Sequence, residues 1–358
     1  MTPTSQLLHP SFKLNGLDFS SAEEVLNFSD GLLNEGDEHE VWVARFLEEW
    51  FSPSTSITVK TSGSTSRPKE IQLKKDQMVN SARATGSYFK TGPGTLALLC
   101  LSAQYIAGKM MLVRAMTLGW DLHVVAPSKD ALTEYDNDYD FVAMVPYQVW
   151  HSLPALGKVK KLIIGGGHVP PGLEEALQQV DTEAFSTYGM TETATHIAVR
   201  RINGPARTDA FYALPEVRFD VDTRSCLLIK APRIADSEIQ TNDVVQLLSP
   251  TSFKWLGRYD NVINSGGVKL YPEVIEARLQ QVIDLNFIVA SEEDPELGER
   301  VILVYEGSSD KRPDFSKAMA VLEPYERPKR IYAMSHFAYT ETGKFKRKDI
   351  LHLLKKYK

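Results

Sequence analysis

The chain has 358 residues, 43% of them hydrophobic and 24% charged, with a formal net charge of −6. That length and apolar share suffice for a large buried core and more than one domain, and the absence of a basic excess argues against nucleic acid or an anionic membrane as the main partner. The two cysteines, Cys100 and Cys226, make neither a disulfide framework nor a zinc pattern, and no run reaches the ~18 apolar residues that span a bilayer.

The first residues, M-T-P-T-S-Q-L-L-H-P, lack the basic start and apolar run of a secretory signal, so the expected location is cytoplasmic. Residues 57–60 and 70–73 read as short strands flanking T-S-G-S-T-S-R-P-K at 61–69. Small hydroxyl residues around a glycine let backbone N–H groups converge on an anion, with Ser62, Ser64 and Thr65 adding hydroxyl donors and Lys69 a full charge. By composition alone a polar surface turn explains the segment as well. The order is not that of a P-loop, which opens directly into a helix.

From about residue 57 to 187, apolar runs of strand length alternate with amphipathic stretches. Strands are expected at 96–101, 123–126, 141–145 and 162–164, with helices near 104–117, 147–153 and 171–180 between them. Such alternation predicts an α/β fold with a mostly parallel sheet. Lys109 and Arg114 interrupt the most apolar helix, Y-I-A-G-K-M-M-L-V-R at 105–114. A cation inside an apolar helix start is costly unless paired. The next glycine turn, I-I-G-G-G-H at 163–168, includes Gly166 and Gly167 and is a weak signal alone.

A strand at 183–187 precedes Y-G-M-T-E-T at 188–193. Strand ends are where an open α/β sheet presents ligand-binding groups. Tyr188 offers a flat face for a purine, Thr191 a hydroxyl for phosphate, and Glu192 a hard oxygen ligand for Mg²⁺. Each alone is more often structural. From about 197 to 256 the pattern turns to short β-rich pieces, at 216–221, 227–229 and 244–248, and predicts a β-rich subdomain. It contains T-N-D at 241–243, and an Asp such as Asp243 can accept two hydrogen bonds at once.

Residues 257–273 read G-R-Y-D-N-V-I-N-S-G-G-V-K-L-Y-P-E, and a domain boundary is placed there, giving units 1–257 and 258–358. In the second, helices are expected at 272–281, 315–322 and 346–357, and strands at 286–290, 301–305 and 330–332. The segment 340–348, T-E-T-G-K-F-K-R-K, is basic, and most of its charges suit a solvated helix face.

Taken in order, these segments resemble the adenylate-forming superfamily of acyl-CoA synthetases, luciferases and adenylation domains. Residues 61–69 resemble its [ST]-S-G-[ST]-T-G-x-P-K signature, with Ser66 standing where Gly is usual; 188–192 resemble Y-G-x-T-E; 257–273 resemble its G-R-x-D block. The resemblance covers roughly residues 55–355, with an N-terminal part shorter than usual. It implies a large N-terminal domain with a small mobile α+β C-terminal domain. It implies ATP, Mg²⁺ and coenzyme A, with Thr61, Ser62, Gly63, Ser64, Thr65, Lys69, Gly166, Gly167, Thr187, Tyr188, Gly189, Met190, Asp243 and Arg258 around ATP, and Glu192 on the metal. Thr191, Glu192 and Lys344 are the implied catalytic residues, Asp260 the hinge, and Ser265, Gly266 and Gly267 the coenzyme A side. In T-N-D, Asn242 replaces the usual Gly and is among the residues that tolerate the same backbone angles.

Within that superfamily, 188–203, 241–245 and 262–269 are most similar to the 2-succinylbenzoate–CoA ligases of menaquinone biosynthesis. Such a substrate has two carboxylates, and Lys109 or Arg114, assisted by Thr195 or His196, is the expected partner of the one that is not activated. Lys109 at a solvent-facing helix edge is the competing reading. Two other functions stay open: a domain that loads a carrier protein, and a non-catalytic nucleotide-binding relative. The expected partners are small molecules, with no nucleic acid and at most a second copy in a homodimer.

Overall fold

The computed structural model describes residues 7–60, 70–308, 313–339 and 345–356. A two-residue hairpin, β1 (Lys13–Leu14) and β2 (Leu17–Asp18), precedes α1 (Ala22–Glu35) and α2 (Glu38–Phe51). Ser21 starts α1, its side chain accepting the Glu24 N–H. The antiparallel pair β3 (Ser56–Lys60) and β4 (Glu70–Lys74) leads to α3 (Lys75–Phe89). Then come β5 (Leu96–Leu99), α4 (Ile106–Leu118), β6 (Asp121–Val124), β7 (Tyr139–Met144), α5 (Pro146–Ser152), β8 (Val159–Ile164), α6 (Pro171–Ala176) and β9 (Glu183–Gly189). Six more strands follow: β10 (His196–Arg201), β11 (Phe211–Ala213), β12 (Arg218–Val221), β13 (Cys226–Lys230), β14 (Ile239–Ser249) and β15 (Ser252–Arg258).

Thirteen of these strands form one sheet, in the order β12-β13-β14-β15-β11-β10-β9-β8-β7-β5-β6-β1-β2. The block β6-β5-β7-β8-β9 is parallel, and its strand order reverses between β5 and β7. The carboxyl ends beside such a reversal form the crevice that ligands use in open α/β sheets. The expectation of a mostly parallel sheet needs correcting, because the sheet is mixed. β10 pairs antiparallel with β9, and β11 to β15 continue antiparallel from it, so the β-rich stretch extends the same mixed sheet. Short strands with turn residues betray antiparallel pairing, but not which edge they join.

Side-chain alternation explains the two layers of helix. On β7, Phe141 and Ala143 face one apolar cluster, and Val142 and Met144 the other. On β5, Ala97 and Leu99 oppose Leu98 in the same way, and Cys100, just past the strand, joins Leu98. The first cluster takes Phe46, Leu47 and Trp50 of α2, Met78 and Phe89 of α3, and Met110 to Val113 of α4. The second takes Val149 of α5 and Leu173 of α6. α4 is buried on nearly every side, from Met110 to Met116, and ends at Gly119 in the left-handed conformation.

The last hundred residues build a second sheet: β16 (Ile263–Ser265), β17 (Val268–Leu270), β18 (Phe287–Asp294), β19 (Gly298–Glu306) and β20 (Arg330–Met334), in the order β17-β16-β19-β18 with β20 parallel to β19. α7 (Pro272–Leu279) and α8 (Ser316–Ala320) cover one face, and α9 (Arg347–Lys356) the other. Half-buried Arg347 grips both Glu276 oxygens at 2.6 and 2.7 Å, tying α9 to α7. No described helix is long and apolar enough to cross a membrane.

Candidate active site

The carboxyl ends of β8 and β9 lie side by side. Thr187 Oγ1 donates to the Ile164 carbonyl at 3.1 Å. A Cβ on Gly165 would stand 2.8 Å from that hydroxyl, and Gly166 has φ +77°, so the glycine turn lets the backbone pass close to β9. Beyond β9 the chain reverses tightly. A Cβ on Gly189 would overlap the Thr195 carbonyl. Thr193 is buried; its Oγ1 accepts the Met190 N–H at 3.0 Å and donates to the Thr195 carbonyl at 2.7 Å. The turn holds Ala194 at φ +58° and leaves Thr191 half-buried and Glu192 exposed at the crevice rim.

Asp243 of β14 is the point of convergence, with its side chain 9% exposed. Tyr188 O–H donates to Oδ2 at 2.7 Å; Trp255 Nε1 and Arg258 Nη1 donate to Oδ1 at 3.2 and 3.3 Å. The register explains part of this, because Asp243 and Arg258 are direct neighbours on β14 and β15. Tyr188 packs edge-on against Phe253, and burial together with the Asp243 charge pushes its phenol far up, so it remains a donor. Asn242 has ordinary strand backbone, so the glycine-like freedom expected of it is not used; its side chain accepts from Arg224 at 3.2 Å. Arg224 also lies 4.9 Å over the Tyr259 ring.

A second polar cluster sits inside the core. Arg114 is 1% exposed; its Nη2 donates to Thr195 Oγ1 at 3.1 Å and to His196 Nδ1 at 3.2 Å. Its Nε has no partner, and no carboxylate pairs with it, among the described residues. Burial brings its guanidinium down to about 9. With Nδ1 accepting, His196 presents Nε2–H to Thr85 Oγ1 at 3.5 Å, and Thr85 passes its own proton to the Ser81 carbonyl at 3.0 Å. Burial first, and Arg114 second, hold His196 well below its ordinary value, so the ring is neutral. An irregularity in the β9–β10 ladder next to His196 helps aim this pair inward.

The structure thus brings Tyr188 and Arg258 together on Asp243, with Thr187 next to Tyr188 on β9, and gathers Arg114, Thr195 and His196 in the core. Lys109 does not join them. It pairs with Glu49 of α2 at 3.0 Å and lies 5.3 Å over the Phe46 ring, because five residues along a helix turn it well away from Arg114. It is also not the solvent-facing residue of the competing reading, being 12% exposed. Residues Thr61, Ser62, Gly63, Ser64, Thr65, Lys69 and Lys344 lie outside the described residues. Gly266 donates its N–H to the Leu297 carbonyl at 2.9 Å, and Ser265 pairs with Gly298, so the 265–267 loop is braced by the β18–β19 turn. Trp255, Thr85 and Glu49 were not singled out by sequence. An indole three residues before a motif arginine, on an adjoining strand, is the one signal that points to Trp255.

The chemistry follows from these groups. A carboxylate has about four acceptor sites, and Asp243 uses three, so it can take a vicinal diol by adding one hydroxyl and displacing the longest donor, Arg258. Glu192 is exposed, and no group of three metal-ligating side chains gathers among the described residues. That suits Mg²⁺, which is commonly held by one or two carboxylates plus substrate phosphates. The Arg114 cluster offers unspent donors and a charge to an anion.

The family model of AMP-binding enzymes matches residues 26–221. An acyl-CoA synthetase (AMP-forming)/AMP-acid ligase II-like protein from Dyadobacter fermentans is 35% identical, covers 89% of this chain and 95% of its own, and superposes with a TM-score of 0.61. The 2-succinylbenzoate–CoA ligase of Enterococcus faecalis is 22% identical over 331 residues, 81% of this chain and 68% of that enzyme. The O-succinylbenzoate coenzyme A synthetase of Bacillus subtilis, solved with ATP and magnesium, has a TM-score of 0.69 at 17% identity, over 82% of this chain and 69% of that one. The chain spans 57 to 74% of the length of the curated relatives it matches.

Proposed function

Since the chain belongs to the AMP-binding, adenylate-forming enzymes, we propose that it is an ATP-dependent carboxylate–CoA ligase whose acid carries a second carboxylate, most specifically 2-succinylbenzoate in menaquinone synthesis. The observation that carries the reading of the acid is Arg114: a buried cation with a free Nε and no carboxylate partner among the described residues. Burying such a charge unpaired costs several kcal/mol, roughly, and an arriving carboxylate recovers it. The names of the relatives from Enterococcus faecalis and Bacillus subtilis support the same acid.

In this reading the acid's first carboxylate attacks the α-phosphate of ATP, giving acyl-AMP and pyrophosphate. The thiol of coenzyme A then displaces AMP. Tyr188 and the 187–191 turn face the adenine, Asp243 holds the ribose hydroxyls, and Arg258, released from Asp243, turns to the phosphates. Glu192 would hold Mg²⁺, which neutralises charge on the phosphates. Residues 61–69 cradle the triphosphate, and Lys344 supplies charge as the carboxylate attacks. The unit 258–358 rotates about Asp260 between the two reactions and brings Ser265–Gly267 to the thiol. ATP–pyrophosphate exchange tests this: it should require the dicarboxylic acid and persist without coenzyme A. Exchange that ignores the acid would overturn the reading.

A further inference from the structure

Strand β15 ends at Arg258, and the next three residues, Tyr259–Asn261, form a single 3₁₀ turn before the second sheet begins. Arg258 and Tyr259 are held from the first unit, by Asp243 and by the Arg224 guanidinium. Among the described residues, one side chain of the second unit hydrogen-bonds back to the end of β15 and the turn after it. Glu273, in the first turn of α7, accepts the Asn261 side-chain amide on Oε1 at 2.6 Å and the Arg258 N–H on the same oxygen at 3.4 Å. Its Oε2 fills the space beside Gly257, where a Cβ would overlap it. Gly257 also has φ +152°, a backbone angle that L side chains rarely adopt. One carboxylate therefore touches residues on both sides of Asp260. Yet Oε2 is buried and has no donor among the described residues. A buried acceptor without a donor is costly, so this arrangement holds the turn while leaving part of the carboxylate unsatisfied.

We infer that Glu273 is a positioning residue for the two-step reaction: seated in the gap left by Gly257, it holds the 258–261 turn in this orientation and lets go when the second unit turns. The inference rests on the ligase reading for its purpose, but not for its test. Substitution of Glu273 removes the grip. Gly257→Ala pushes on the same carboxylate from the other side and also strains the backbone at φ +152°, so the part of its effect that acts through Glu273 should vanish once Glu273 is gone.

The test measures orientation directly, on the full chain without substrates. Both native cysteines are buried, so spin labels on Lys129→Cys and Lys355→Cys, two exposed sites on opposite units, report the distance between them. Glu273→Ala should shift the ratio of two distance populations by about tenfold or more, the effect of losing a hydrogen bond to a charged acceptor. Asn261→Ala, which leaves α7 untouched, should shift it in the same direction. Gly257→Ala should shift it in the wild-type background and markedly less in the Glu273→Ala background. Unchanged distances in Glu273→Ala and Asn261→Ala, or additive effects of Gly257→Ala and Glu273→Ala, would overturn the inference. The half-reactions, timed on the same variants, should diverge as the distances do. Distances that move in a protein with no ligase activity would keep the positioning role and remove the ligase reading.

Discussion

Replacing Arg114 with methionine separates recognition of the acid from everything else. The side chain is 1% exposed, and among the described residues its donors reach only neutral groups: Thr195 at 3.1 Å, His196 at 3.2 Å and the Met111 sulfur. Methionine fills similar space without charge. One charge-assisted hydrogen bond to the acid's second carboxylate contributes about 1.5–3 kcal/mol, which is roughly 10- to 150-fold in kcat/KM. The loss should be confined to acids that carry that carboxylate. With 4-oxo-4-phenylbutanoate, which has the succinyl arm and the ring but no ring carboxylate, wild type leaves the guanidinium buried and unpaired, and Arg114→Met should equal or exceed it. Stability should move the opposite way to activity. Exchanging a buried unpaired charge for an apolar side chain should stabilise the free protein by on the order of 1–4 kcal/mol, read from chemical denaturation. Steady-state kinetics on the two acids, run with the melts, give both numbers. Equal losses on both acids, or a less stable variant, would refute the assignment of Arg114.

Lys344→Ala should cut acyl-AMP formation by ~10²–10³, the effect of losing one preorganised charge-stabilising donor, while thioester formation from supplied acyl-AMP survives; equal loss in both steps would reject the role. Glu192→Gln should raise the Mg²⁺ requirement of the first step and leave the second nearly unchanged, since the amide keeps the shape and loses the charge; an unaltered Mg²⁺ titration would count against it. His196 is neutral when folded and takes a proton when unfolded below about 6.5, so as pH falls through that value the unfolded state binds more protons and stability drops, by about 1.4 kcal/mol per unit. Denaturant melts between pH 7 and 5.5 should show that slope shrink in His196→Gln, and an unchanged slope would mean the ring is charged in the fold.

The parallel block was the most legible part of the fold, for a physical reason. β5, β7 and β8 are covered on both faces, so β5 reads as an unbroken apolar run and β7 and β8 as apolar runs after Asp140 and after Lys161. Their ends shifted by one to three residues where a run continued into a turn, as at Cys100 and Leu101 beyond β5. α3 was missed because K-D-Q-M-V-N-S-A-R-A-T-G-S-Y-F has a weak apolar stripe and a glycine at position 86; it is secured by burial of Met78, Ala82 and Phe89. Motif order located Tyr188, Asp243 and Arg258, and β14–β15 pairing puts two of them side by side. No local pattern reveals that Tyr188, 55 positions earlier, shares the same carboxylate. Lys109 and Arg114 looked equivalent in one apolar helix, and only the position of α2, which carries Glu49, tells them apart.

The central claim is the dicarboxylic acid ligase, and its most direct test is coenzyme A-dependent AMP release from purified protein with ATP, Mg²⁺ and a panel of acids. The account predicts thioester product and stoichiometric AMP with 2-succinylbenzoate, and rates at least tenfold lower with 4-oxo-4-phenylbutanoate, from one lost charge-assisted bond. Equal rates on the two acids, or AMP release with no dependence on coenzyme A, would contradict it.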